Sequence, residues 1–151
     1  MKDCHVVSLQ KHIERLRHSA DPSERALAAD EIGDLLQQTL AHLPSVKVDL
    51  LREAIIEIMS LALKETDSMA RESLLHALVN ASSLACAKGE LFDPSPIVSA
   101  LDTFTEEELE YALYILAFSR RVNFRSVIRR YLNHSSSNIR DIARQALQEM
   151  E

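Results

Sequence analysis

Two stretches near opposite ends of the chain read almost alike: DPSERALAADEIGDLL from Asp21 and SSNIRDIARQALQEM from Ser136. Each has a polar capping turn, an arginine in the first helical turn (Arg25, Arg140), alanines one turn later, and large aliphatic residues three and four apart. A helix of this kind cannot bury its apolar face alone, so copies of it stack into one continuous core. That constraint selects a helical repeat architecture. Composition agrees: 46% of the residues are hydrophobic, yet there are only two glycines and no tryptophan. This balance favours helix over sheet. A chain of 151 residues is long enough to bury most of its surface as one domain over 1–151.

The periodicity predicts eight helices. Val6, Leu9, Ile13 and Leu16 form the stripe of a first helix over 6–18. Asp21, Pro22 and Glu24 then make a start signal in which Asp accepts orphan amides, Pro fits the first turn and Glu reaches back. The second helix runs to about His42, with Gly33 in its middle. A glycine there costs about 1 kcal/mol relative to alanine, which points to a close helix crossing. Pro44 and Ser45 break the chain before a third helix on Val48, Leu51, Ile55, Ile58 and Ala62. Thr66 to Ser68 open a fourth, with Leu74, Leu75, Leu78 and Leu84 on its apolar surface and Lys88 and Gly89 as its stop.

After DPSP at 93–96 a short helix leads to Leu101. Thr105 and Glu108 spell a capping box for a sixth helix, apolar on almost every side from Leu109 to Phe118 and therefore central. Asn123 is the expected cap of a seventh, carrying Phe124, Val127, Ile128, Tyr131 and Leu132, and Ile139, Ile142, Ala146 and Met150 mark the eighth. Short turns pair the eight into four antiparallel hairpins. The repeat is uneven, because Arg25 and Arg71 lie 46 positions apart (71 − 25) and the third unit lacks the arginine.

RALAADEIGDLL and IRDIARQALQEM resemble HEAT and armadillo-type repeats, over 21–42 and 134–150 most closely and over 66–88 and 104–118 more weakly. The resemblance implies an all-α, degenerate α-solenoid that binds other macromolecules and carries no catalytic residue. A small acidic chain of this architecture is also similar to bacterial immunity proteins that neutralise a cognate toxin.

Signals for catalysis and cofactors are sparse. Glycines stand only at 33 and 89, so no glycine-rich loop brings backbone amides around a phosphate. The six histidines show neither H-E-x-x-H nor E-x-x-H spacing. Glu72 and His76 sit one turn apart, but a two-ligand site needs further partners, and an ordinary surface pair is the simpler reading. Cys4 beside His5 has no held geometry for an activated thiol, and Cys86 reads as a small buried hydrophobe. Two distant cysteines suggest free thiols in a reducing compartment. The expectation is a non-enzymatic protein with no cofactor and no metal. The first 18 residues lack a secretory h-region and no apolar run reaches about 18 residues, so a cytoplasmic protein away from membranes is expected.

Charge is the remaining signal. The net charge is −6. Seven carboxylates and no Lys or Arg fall between Gly89 and Phe118, whereas seven arginines and one Asp fall between Arg120 and Arg144. Three helices carry carboxylates at i and i+4: Asp30 with Asp34, Glu53 with Glu57, and Glu106 with Glu110. Like charges at that spacing weaken a helix by a few tenths of a kcal/mol each, so their recurrence suggests a field kept for a cationic partner. Solvated polar faces are the plainer explanation for any one pair, and carboxylates belong in a first turn such as that of Glu106 in any case.

Arg120, Arg121, Arg125, Arg129 and Arg130 could line a phosphate-binding surface. Helical spacing instead puts Arg125 and Arg129 on an exposed face where they can pair with the Glu-rich helix, and the net acidity opposes nucleic acid. The expected function is an immunity protein that blocks a basic toxin, such as a nuclease, through its acidic surface. A general adaptor docking a peptide or helix in its groove is the alternative, and an RNA-binding helical repeat the third.

Overall fold

The computed structural model describes residues 4–42, 48–86 and 91–151, with the backbone alone for 85 and 86. Among the described residues there are eight α-helices, two short 3₁₀ turns and no strand. The helices are α1 Cys4–His18, α2 Pro22–Ala41, α3 Val48–Lys64, α4 Ser68–Cys86, α5 Ser95–Val98, α6 Glu106–Phe118, α7 Val122–Arg129 and α8 Ser137–Glu149. The 3₁₀ turns are Leu101–Thr103, before α6, and Arg130–Asn133, which continues α7. The expected stops at Pro44, Ser45, Lys88 and Gly89 and the side chain of Cys86 lie outside the described residues.

Local chemistry accounts for most of the boundaries. Asp21 caps α2 by accepting from the Ser23 amide at 3.0 Å, with Pro22 in the first turn. Glu24 does not reach back to the Asp21 amide as the start signal suggests. It accepts from the Ser19 hydroxyl at 3.1 Å, and that hydroxyl accepts from the Asp21 amide, so Ser19 relays the capping box. Asp67 accepts from the Ala70 amide at 2.9 Å to open α4. In α6 the box is direct: Thr105 Oγ1 accepts from the Glu108 amide at 3.2 Å and Glu108 Oε2 from the Thr105 amide at 3.1 Å.

The expected cap at Asn123 is displaced. Arg120 takes a left-handed conformation (φ 53°), and the Ser119 hydroxyl accepts from the Arg121 amide while donating to the Leu116 carbonyl. That turn brings the chain into helix already at Val122, with Arg121 at the cap position and Asn123 inside α7.

The helices pack in a definite order. α2 lies against α4, α4 against α6 and α6 against α8, with α2 on α4 the most extensive junction. α1 covers α2 and touches α3, α3 covers α4, and α7 packs on both α6 and α8. One connected cluster of buried apolar side chains runs through these junctions, from Leu9 and Ile13 through Ile55 and Leu74 to Leu113 and Ala146. Leu84, expected on the apolar surface of α4, is instead exposed. α6 is central, as its composition demands: Leu113, Ile115 and Leu116 are completely buried. Glu31 of α2 adds a polar tie, receiving Arg15 of α1 at 2.7 Å. No helix among the described residues is long and apolar enough to cross a membrane.

Candidate partner surface

Asp21, Asp67 and Ser136 each precede an arginine by four positions, at Arg25, Arg71 and Arg140. All three arginines do the same thing. Arg25 donates to the Ser19 and Ala20 carbonyls, Arg71 to the Glu65 carbonyl at 2.9 Å, and Arg140 to the His134 and Ser135 carbonyls at 2.7 and 2.9 Å. Each guanidinium therefore folds back on the preceding turn, Arg25 and Arg140 on the carbonyls five and six residues earlier and Arg71 on the one six residues earlier. Leu109 stands at the corresponding position after Thr105, where the capping box holds the turn instead.

The first two arginines also reach forward. Arg25 Nε and Nη2 grip the Glu65 carboxylate at 3.1–3.3 Å, and Arg71 Nη1 donates to Glu108 Oε2 at 3.1 Å. Glu65 is 8% exposed and Glu108 is 1% exposed, which places both pairs at the helix junctions rather than in solvent. Burial opposes ionisation of Glu65. Hydrogen bonds from Arg25 and from the Asp67 and Thr66 amides outweigh it and hold the carboxyl below its ordinary value. Partners of this strength are what make a buried charge tolerable.

The carboxylates at i and i+4 behave differently from pair to pair. Asp30 and Asp34 of α2 are both exposed, and among the described residues neither they nor Glu53 has a hydrogen bond or ion pair. Glu57 is tied to Arg17 of α1, and Glu106 accepts from the Ser136 hydroxyl at 2.9 Å. Glu110 is half-buried beside Tyr111 and Tyr114. Of the three pairs, the one on α2 is wholly open to a partner.

Most of the arginine-rich segment is spoken for. Arg121 meets Asp93 at 2.7 Å and lies over the Phe124 ring, and Arg144 pairs with Asp141. Arg125 does not pair with the Glu-rich helix: it donates to the Met150 carbonyl at 3.1 Å and closes the end of α8. Arg120, Arg129 and Arg130 are exposed.

Two neighbouring depressions escaped the sequence reading. One, of about 280 Å³, is lined by Pro22, Ala26, Leu27 and Asp30 of α2 with Asp67 and Met69. The other, of about 240 Å³, is lined by Met69, Glu72, Ser73 and His76 of α4 with Tyr111 of α6. The His76 and Tyr111 rings are 5.4 Å apart and tilted. Burial, then the carboxylates of Glu72 and Glu110, push the Tyr111 hydroxyl above its ordinary value. Leu27 and Met69 stay 51% and 68% exposed. Glu72 and His76, read from the sequence as an ordinary surface pair, line the second depression together. No group of three or more His, Cys, Asp or Glu among the described residues is arranged to hold a metal ion. Compared with known proteins, the chain matches no family model, and no curated protein matches it.

Proposed function

We propose that this chain is a non-enzymatic protein-interaction module, a degenerate α-solenoid of four helical hairpins that binds a basic protein through acidic side chains. In its most concrete form it is an immunity protein acting in the cytoplasm, blocking a cationic toxin such as a nuclease. The solenoid reading is supported by the order α2, α4, α6, α8, in which each helix packs on the next. It is supported further by Arg25 and Arg71, each of which closes its own turn and reaches the acidic residue of the following unit. Nearest-neighbour ties of this sort are how stacked repeats are held.

The observation that carries the binding reading is the exposed, unpartnered pair Asp30 and Asp34 on α2. Repulsion at that spacing costs the helix a few tenths of a kcal/mol, and the fold leaves it uncompensated while supplying partners to Glu57, Glu65, Glu106 and Glu108. In the mechanism, these acidic groups take the place of the toxin's phosphate substrate. They steer association, and apolar contacts set the lifetime of the complex. Four of the seven arginines between 120 and 144 serve the chain's own acceptors, which supports a structural role for the cluster over an RNA surface. The exposed Met69 and Leu27 favour one addition from the adaptor reading, an apolar contact beside the charges.

Cross-linking mass spectrometry on the complex recovered from the native cell tests this. The expected result is a basic protein whose lysines cross-link to acidic side chains of α2 and α6. A partner joined only through uncharged segments contradicts it.

A further inference from the structure

The two depressions share Met69, so they form one groove across α2, α4 and α6. Three of its lining residues are carboxylates, Asp30, Asp67 and Glu72, and none is Lys or Arg. Leu27, Met69 and Tyr111 give it apolar and aromatic surface in reach of solvent, with Met69 as an exposed ridge between the two depressions. We infer that this groove docks an extended, arginine-bearing segment of a partner protein, an arginine seating between Glu72 and the Tyr111 ring and an apolar side chain seating over Met69 and Leu27. The inference rests on the acidic-surface reading above and gives it an address.

The chemistry selects arginine. A planar guanidinium stacks on an aromatic face and donates a pair of hydrogen bonds to a carboxylate, whereas an ammonium is a strongly hydrated point charge. Glu72 stands beside the Tyr111 hydroxyl, and Glu110 and Glu107 add negative potential at the same ring. An anionic segment meets three carboxylates there and no compensating cation. The dimensions suit an extended chain. Neighbouring helices are about 8–10 Å apart, and a segment in the polyproline II conformation covers about 9 Å in one turn of three residues, which returns the side chain to the same face. An arginine and a leucine three positions apart therefore fall over the two depressions together.

The test is a nuclear magnetic resonance titration of the whole chain with a short peptide carrying one arginine and one leucine at that separation. Parallel peptides replace the arginine by glutamate or the leucine by serine. The arginine–leucine peptide is expected to shift the amides of Leu27, Met69, Ser73, His76 and Tyr111. Glu72→Gln and Tyr111→Leu should each weaken it about tenfold, a difference of about 1.4 kcal/mol, and Glu149→Gln, at an exposed carboxylate on α8, should leave it unchanged. If Tyr111→Leu does not fold, Met69→Ser at the exposed ridge serves in its place and should produce the same loss.

Equal losses in Glu149→Gln and Glu72→Gln, or shifts elsewhere only, overturn the groove and leave the acidic-surface reading standing. Equal binding of the glutamate peptide overturns both, and absence of any groove shift overturns the groove. Sedimentation of the protein alone covers the remaining occupant: a dimer dispersed by Met69→Ser puts a second copy in the groove and overturns the proposal.

Discussion

At Gly33 a Cβ would meet the Ala77 Cβ at 3.6 Å, an ordinary van der Waals contact. The glycine does mark the junction of α2 with α4, but that junction does not exclude an alanine. Gly33→Ala should therefore recover most of the helix-interior difference and stabilise the protein by about 0.5–1 kcal/mol, read as a higher Tm. Glu65 carries the opposite lesson. Nothing in the text around it separates it from a solvated helix end, because its partner Arg25 is 40 positions away and distant pairing leaves no periodic trace. Its folded carboxyl titrates below the ordinary 4.5. As pH falls from 4.5 through the lowered value, the unfolded chain binds the proton first, so this part of the stability is intact at neutral pH and lost in acid. Thermal melts between about pH 3 and pH 7 should show Tm falling on the acid side. In Glu65→Gln that fall should be shallower, from a lower neutral value.

Among the elements, those with both periodicity and a cap were legible to within a residue or two. α6 is the clearest case, since Thr105 and Glu108 spell its start and its apolar surround declares it central. α7 was harder, because Asn123 has the right chemistry for a cap while Ser119 and the left-handed Arg120 decide the turn two residues earlier. Such a decision depends on how α6 ends, which residue type alone does not encode. The central place of α6 has a measurable consequence. Leu113 is completely buried, so Leu113→Ala leaves a cavity and should cost about 2–5 kcal/mol in denaturant unfolding. A change within about 0.5 kcal/mol is what a surface helix would give.

Across the whole molecule, the periodic text at 21–36 and 136–150 announced an all-helical chain, whereas the groove over Met69 was invisible because it is assembled from α2, α4 and α6. The acidic pairs were legible as residues but not as a surface: only the packing shows that Glu57 and Glu106 are held by the chain and that Asp30 and Asp34 are not. Under the proposed function this open charge draws a basic partner. The direct measurement is the association rate of the native partner with the wild-type chain and with Asp30→Lys/Asp34→Lys, at low and at high ionic strength. Exposed charges act mainly on encounter, so wild-type kon should fall steeply with salt. The double reversal, with folding nearly unchanged, should be slower and lose that dependence. Equal rates and equal salt dependence in the two proteins would mean that Asp30 and Asp34 have no part in drawing the partner.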